Sequence, residues 1–475
     1  MAEPRYTAAQ AAADLRAAGL LDGVLGERDG SLQAGAPAGG FIGAGLDSRR
    51  LEPDQLFVAL AGEHADGRSF APAALAAGHW VLTASRAGAD PLLGAKAAAR
   101  TGVLLSADPV AALAVLGRCW RARQPAVTVG VTGTNGKTTT KDLLAALLAG
   151  AGPVHATGGN LNNHLGVPLT LLGLRPSHRF GVIEMGASAV GEIARLAPLA
   201  APVVGIITNA SPAHLAEFGS LEGIIEGKGE LVEALPPGGT AVLNADSPGF
   251  ARWRARSKGS VVSFGRGGDH PWSWRPAADG TGILALDGAD WPVPLPGAHN
   301  GANLAAAILA ARALGVDDAD LRRGLAGFRG SPHRGVRLEI AGRQVLDDAY
   351  NANPRSLVAA AQALLALPGG GRTVAVLGAM AELGPDSAAI HRDCGRELAG
   401  LGLDALLAVG AGAADLAAGF DAAGGEAHHC GSHAEAADWL VRRTAAGDRI
   451  LVKGSRSAAM ERVLALLPSR FATET

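Results

Sequence analysis

Apolar positions in this chain fall into two rhythms. From about residue 126, short unbroken apolar runs alternate with stretches in which apolar residues return every three or four positions. That is the signature of buried strands separated by helices. Residues 127–131, 181–184 and 203–208 are such runs, each ending at polar residues. Strands buried on both faces of a parallel sheet read this way, and they deliver ligand groups at their C-terminal ends. A second alternation begins after about residue 330, with strands expected at 372–377, 405–409 and 449–452, each followed closely by glycine. Before residue 100, short strands at 55–60 and 80–83 mix with alanine-rich helices. Residues 256–290, rich in Gly, Ser, Trp and Asp, predict small antiparallel strands or loops. No internal repeat is present.

Composition narrows the function classes. The 475 residues suggest two to four domains, and 48% hydrophobic against 18% charged residues allows large cores. Forty-two Lys and Arg against 44 Asp and Glu leave a net charge of -2 without a basic block. Bulk nucleic-acid binding needs an excess of cations, so no nucleic-acid partner is expected. The start, Met1-Ala2-Glu3-Pro4-Arg5, lacks the basic and apolar regions of a signal peptide. Apolar runs such as 201–207 stop well short of a membrane span, so no membrane insertion is expected. Cys119, Cys394 and Cys430 are odd in number and far apart, which suits reduced thiols in a cytoplasm.

Chemistry concentrates at Thr132-Gly133-Thr134-Asn135-Gly136-Lys137-Thr138-Thr139-Thr140, between the run 127–131 and an apolar-periodic helix at 142–148. Strand, glycine-rich turn and helix make a phosphate loop. Glycines let backbone N–H groups turn toward an anion, and the helix N-terminus adds positive potential. Lys137 is placed to reach the β- and γ-phosphates of ATP and Thr138 to set its hydroxyl on Mg²⁺, with Gly133, Thr134, Asn135, Gly136 and Thr139 completing the nucleotide site. Val131 stands where the general phosphate-loop pattern has its first glycine.

The version Gly-Thr-Asn-Gly-Lys-Thr resembles the Mur ligases and their relatives, the folylpolyglutamate synthetases. Further stretches fit in chain order: Gly159-Asn160-Leu161-Asn162-Asn163, Glu184-Met185-Gly186, the run from Asn209 to His214, Lys228-Gly229-Glu230, and Pro296-Gly297-Ala298-His299-Asn300 with Asn303. Asp348-Ala349-Tyr350-Asn351-Ala352-Asn353-Pro354 is similar to the string of the branch that adds D-alanyl-D-alanine to UDP-N-acetylmuramoyl-tripeptide. Leu377-Gly378-Ala379-Met380-Ala381-Glu382-Leu383-Gly384 resembles a Gly-Asp-Met box of the family, with Ala379 where Asp is usual. Lys453-Gly454-Ser455-Arg456-Ser457 is similar to its C-terminal box.

We read an α/β chain of three domains: a UDP-substrate domain at 1–102, an ATPase domain with a mostly parallel sheet at 103–329, and a Rossmann-like domain at 330–475. The resemblance implies a monomeric cytoplasmic ligase that activates the tripeptide carboxylate with ATP and joins it to D-alanyl-D-alanine. It implies that Glu184, His214 and Lys228 hold magnesium together with Thr138, Lys228 as a carbamate formed with CO₂. Asn300 and Asn303 are implied to meet the nucleobase, Arg337 to clamp phosphate charge, with Arg334 its competitor, and Asp348 to lie near the ribose. Substrate contacts are expected from Ser48 and Arg49 in the N-terminal domain, from Asn160, Asn162 and Asn163, and from Tyr350, Asn351 and Asn353. The competing readings are another Mur ligase, a folylpolyglutamate synthetase, which lacks such an N-terminal domain, and a nucleotide-gated binding module without ligase activity.

Overall fold

The computed structural model describes residues 5–35, 39–62, 65–84, 92, 94–212 and 215–472. Its centre is a six-stranded sheet, all parallel, in the order Val154–Ala156, Phe180–Glu184, Val127–Thr132, Val204–Ile207, Thr240–Asn244, Ser260–Phe264. Val127–Thr132 lies inside this sheet with Val129 and Val131 fully buried, as a strand covered on both faces requires. One face is covered by the helices Lys137–Ala149 and Ala298–Ala313, which share a core with Val129, Val131, Val182 and Ile206. The other face is covered by Glu192–Ala200 and Leu221–Glu233.

The expected strands at 127–131, 181–184, 203–208, 372–377, 405–409 and 449–452 all form, with ends displaced by no more than a residue. The helix expected at 142–148 starts five residues earlier, at Lys137, because Gly136 takes a left-handed φ of 79° and turns the chain straight into it. The stretch 256–290 divides. Ser260–Phe264 joins the parallel sheet as an edge strand, while Trp272–Pro276, Gly282–Leu286 and Ala289–Val293 make a three-stranded antiparallel sheet against Ala298–Ala313.

A second six-stranded sheet lies before residue 107, in the order Ser31–Ala34, Gly23–Arg28, Gly102–Ser106, Trp80–Ala84, Leu56–Ala59, Ala44–Gly45. Its strand Gly102–Ser106 pairs with Trp80–Ala84 and Gly23–Arg28, so a boundary at 102/103 cuts through this strand. A third sheet follows residue 330, in the order Val336–Ile340, Arg343–Asp348, Arg449–Lys453, Thr373–Gly378, Ala405–Val409, Glu426–Cys430. All but its first pair are parallel, and buried side chains cover both faces. With helices on both sides, this is the doubly wound arrangement expected of the C-terminal part.

Burial along Val127–Thr132 sets up an internal comparison, since Val127 is 39% exposed and Val129 fully buried. Val129→Ala should lower the stability of the central sheet by about 2 kcal/mol, from lost transfer energy plus a cavity. Val127→Ala should stay within about 0.5 kcal/mol. Urea unfolding followed by tryptophan fluorescence measures both, and equal costs would contradict the assigned burial.

Candidate active site

Because the central strands are parallel, their C-terminal ends share one edge. The chain leaves Val127–Thr132 there through Gly133 and Gly136, both at positive φ. A Cβ at Gly133 would collide with Thr208 Oγ1, and one at Gly136 with the Asn303 amide. The loop is fastened on both sides. Thr208 Oγ1 and Asn209 Nδ2 donate to Asn135 O at 2.6 and 3.0 Å, and Asn135 N donates to Asn209 Oδ1 at 3.1 Å. Asn303 accepts from Thr140 Oγ1 at 3.3 Å and donates to Asn300 Oδ1 at 3.1 Å, while Asn300 Nδ2 donates to Pro296 O at 2.8 Å. Both asparagines are thus buried braces of the loop that also border the cavity beside it.

That cavity has a volume of about 900 Å³ and reaches from the phosphate loop to the C-terminal sheet. Lys137 lies over its own loop, donating to Thr134 O at 3.1 Å. Burial pushes its ammonium below the ordinary lysine value; Glu184 opposes that shift and Arg334 adds to it. Thr138 and Thr139, on the first turn of the helix, also line the cavity.

Glu184 ends its strand almost fully buried. Its Oε1 accepts from Asn162 Nδ2 at 2.7 Å, while its buried Oε2 has no hydrogen-bond partner among the described residues. A buried carboxylate oxygen without a donor is costly unless a cation faces it. No set of three or more His, Cys, Asp or Glu among the described residues is grouped to hold a metal by itself. Glu184 Oε2 and the Thr138 hydroxyl are the hard oxygen donors that a magnesium ion takes one or two of, its shell completed by phosphate and water. Asn160, Asn162 and Asn163 line the cavity beside Glu184, and Asn163 Oδ1 caps the following helix through the N–H groups of Leu165 and Gly166.

Lys228 is 2% exposed on the helix Leu221–Glu233. Its Nζ donates to Ala187 O at 3.0 Å and lies 5.0 Å from the centre of the Phe218 ring. Burial, with Lys137 adding to it, brings its pKa down to about 7, Glu192 and Glu230 opposing. His214 lies outside the described residues.

The opposite wall comes from the chain after residue 330. Asp348, Tyr350, Asn351 and Asn353 all line the cavity. Lys453, 3% exposed, donates to Asp348 Oδ2 at 2.5 Å and to Asn351 O at 2.7 Å, fixing the string from behind. Asn353 accepts from Ser356 N as the cap of the helix Pro354–Leu365, and its Nδ2 donates to Asn135 Oδ1 at 2.6 Å. The string that reads as a substrate signature therefore touches the phosphate loop directly.

Arg337 departs from expectation. It is exposed on the outer strand Val336–Ile340, and its guanidinium donates to Asp279 O in a turn of the small antiparallel sheet, away from the cavity. Arg334 lines the cavity instead, with Cζ 3.8 Å from the Tyr350 ring centre. It precedes the strand, so its side chain is not committed to a sheet face. Ser48 and Arg49 do not reach this cavity; Arg49 forks onto Asp47 at 2.8 Å through both Nε and a terminal nitrogen. The segment carrying them borders a second cavity, of about 400 Å³, through Gly43, Ala44, Glu52 and Gln55, facing His155, Arg175 and Leu161. Sequence reading passed over Lys141, Arg195 and Arg355. Arg355 stands in the same string as Asn353, and Lys141 directly follows the phosphate-loop threonines, but nothing local marked Arg195.

Comparison with known proteins agrees with this geometry. The Mur ligase middle domain matches residues 131–311, and the Mur ligase glutamate ligase domain matches 333–456. The UDP-N-acetylmuramoyl-tripeptide--D-alanyl-D-alanine ligase of Escherichia coli is 36% identical, over 89% of this chain and 92% of its own length. That of Synechocystis is 38% identical, over 89% and 90%. The crystal structure of MurF from Acinetobacter baumannii superposes with a TM-score of 0.83 at 32% identity, covering 99% of this chain and all of that one. MurF from Thermotoga maritima, in complex with ADP, gives 0.77 at 30% identity over 91% and 98%. These likenesses extend through all three sheets, and the chain belongs to the Mur ligase family, within the branch of the UDP-N-acetylmuramoyl-tripeptide--D-alanyl-D-alanine ligases.

Proposed function

We propose that this chain joins D-alanyl-D-alanine to UDP-N-acetylmuramoyl-tripeptide at the expense of ATP. The observation that carries this reading is the single cavity in which the phosphate loop faces Asp348–Asn353, with Asn353 bonded to Asn135. The C-terminal carboxylate of the tripeptide attacks the γ-phosphate, so an acyl phosphate forms and ADP leaves. The amine of D-alanyl-D-alanine then attacks the acyl carbon and phosphate departs, leaving the amide and a proton. Activation is needed because a free carboxylate resists amine attack.

Lys137 places positive charge against the β- and γ-phosphates as the transferred charge develops. Arg334, anchored on Tyr350, supplies the second cation from the far wall. Asn300 and Asn303 brace the loop and border the nucleobase, and Asp348, tied to Lys453, stands at the ribose side. Asn160, Asn162 and Asn163 orient the tripeptide end, and Tyr350, Asn351 and Asn353 the dipeptide. The segment with Ser48 and Arg49 receives the UDP-muramoyl end beside the second cavity. Thr138, Glu184, His214 and Lys228 are the residues that would hold Mg²⁺. When bound, the ion neutralises phosphate oxygens. The orphaned Glu184 Oε2 supports this assignment.

Lys228 acts as a carbamate: its neutral amine adds CO₂, an N–C bond forms and one proton leaves, turning a cation into an oxygen ligand. A pKa near 7 favours this, because the neutral amine predominates above that pH. We place the three functional parts at residues 1–106, 107–329 and 330–475, working as a monomer in the cytoplasm. One chain supplies both walls of the cavity, and all three cysteines are free thiols, as a reducing compartment requires.

The decisive assay offers the tripeptide precursor with ATP and either D-alanyl-D-alanine or single amino acids. Mass spectrometry should show the dipeptide adduct alone; products extended by one residue would indicate a sister activity. Lys137→Ala should cut ADP formation by about 10³-fold while far-UV circular dichroism stays unchanged. Turnover near the wild-type rate would refute its role. Lys228→Ala should lose most activity and regain part of it with short carboxylic acids, whereas Lys228→Arg stays inactive because guanidinium remains cationic. In wild-type enzyme stripped of CO₂, bicarbonate should restore more activity at pH 8 than at pH 6, since below about 7 the lysine is protonated. Equal restoration at the two pH values would count against the carbamate.

A further inference from the structure

Lys141 is a buried cation for which the reaction just described has no use. It sits on the phosphate-loop helix, 3% exposed, one residue past the buried Thr140. Its Nζ donates to Thr157 O at 2.7 Å and pairs with Asp142 at 2.5 Å. Thr157 follows the strand Val154–Ala156 and opens the loop that carries Asn162. Its hydroxyl accepts from Glu184 N at 3.0 Å, and Asn162 in turn holds Glu184 Oε1. Asp142 also accepts from Ser331 Oγ, on the chain leading into the C-terminal sheet.

Only the lysine of this pair is buried, Asp142 keeping 26% of its side chain exposed, and such an ion pair contributes little net stability because desolvation of the lysine offsets much of the attraction. A pair retained at this position is therefore better explained by what it holds in place. Both the main chain and the carboxylate of Glu184 are reached from Lys141, the former through Thr157 and the latter through the loop to Asn162.

We propose that Lys141 and Thr157 are positioning residues that aim Glu184 at the nucleotide-bound magnesium ion. This rests on the reading of Glu184 as a magnesium ligand. Outer hydrogen-bond partners of a ligating group set its direction, and removing one costs about 10- to 100-fold in metal affinity or activity. Asp142 links the same cation to Ser331, so the phosphate-loop helix and the entry to the C-terminal sheet share one anchor.

The test follows binding. Fluorescence of methylanthraniloyl-ADP on the full-length protein is titrated with Mg²⁺ for wild type, Lys141→Met, Thr157→Val and Glu184→Gln, with thermal unfolding run alongside. Thr157→Val keeps shape and charge, and so decides the matter if Lys141→Met does not fold. Each single variant should raise the half-saturating Mg²⁺ concentration by about tenfold or more. Adding Lys141→Met or Thr157→Val to Glu184→Gln should raise it no further, because the effect runs through that carboxylate. A shift for Glu184→Gln with none for folded Thr157→Val, or a double variant in which the two shifts multiply, overturns this inference alone. An unchanged midpoint for Glu184→Gln overturns it together with the magnesium role of Glu184.

Discussion

An anion can be wrapped by backbone only where no side chain intervenes, and this constraint governs the centre of the molecule. Gly133 and Gly136 sit at positive φ with Thr208 and Asn303 against the places a Cβ would occupy. Neither place in the loop has room for a side chain. The position of the loop follows from the parallel sheet, which brings Thr208 and Asn209 up beside it, and from the first turns of Ala298–Ala313, which bring the buried Asn300 and Asn303. Glu184 reaches the same edge because its strand is parallel and adjacent.

The three buried lysines near this edge illustrate how partners decide what a charge does. Lys141 and Lys453 each meet a carboxylate, Asp142 and Asp348; Lys453 joins segments 105 residues apart, and Lys141 joins the phosphate-loop helix to Thr157. Lys228 meets a carbonyl and an aromatic face, and burial draws its pKa to about 7. The same residue type is thus ion-paired in two places and rests against a carbonyl and an aromatic face in the third. Burial alone does not separate them, because all three are within 3% of fully buried.

The strands of both parallel-rich sheets were legible because a strand buried on two faces has to be apolar throughout, and glycine follows where the chain turns back. The phosphate loop was legible for a similar reason, since its glycines stand at fixed offsets from Lys137. What sequence could not supply was direction. Arg334 and Arg337 are three residues apart and chemically equivalent on paper. Only the register of Val336–Ile340 against Arg343–Asp348 sends Arg337 to Asp279 and leaves Arg334 at the cavity. The expected boundary at 102/103 falls inside the strand Gly102–Ser106 because pairing with Gly23–Arg28 is a long-range fact without a local mark. The fastening of Asn353 to Asn135 spans more than two hundred residues and is likewise invisible to spacing.

The helix Ala298–Ala313 lies under the phosphate loop with Ala305, Ala306, Ala307, Ala310 and Ala311 buried. Alanine has no rotamers to lose on folding, so ordering these five positions costs backbone entropy alone, and Leu304, Ile308 and Leu309 carry the side-chain cost of the buried face. Alanine also leaves these positions few alternative packings, because a methyl group cannot swing aside as the neighbouring leucines can. The buried side-chain torsions of this helix are therefore concentrated in Asn300, Asn303, Leu304, Ile308 and Leu309, and the two asparagines have theirs fixed by hydrogen bonds beside the phosphate loop.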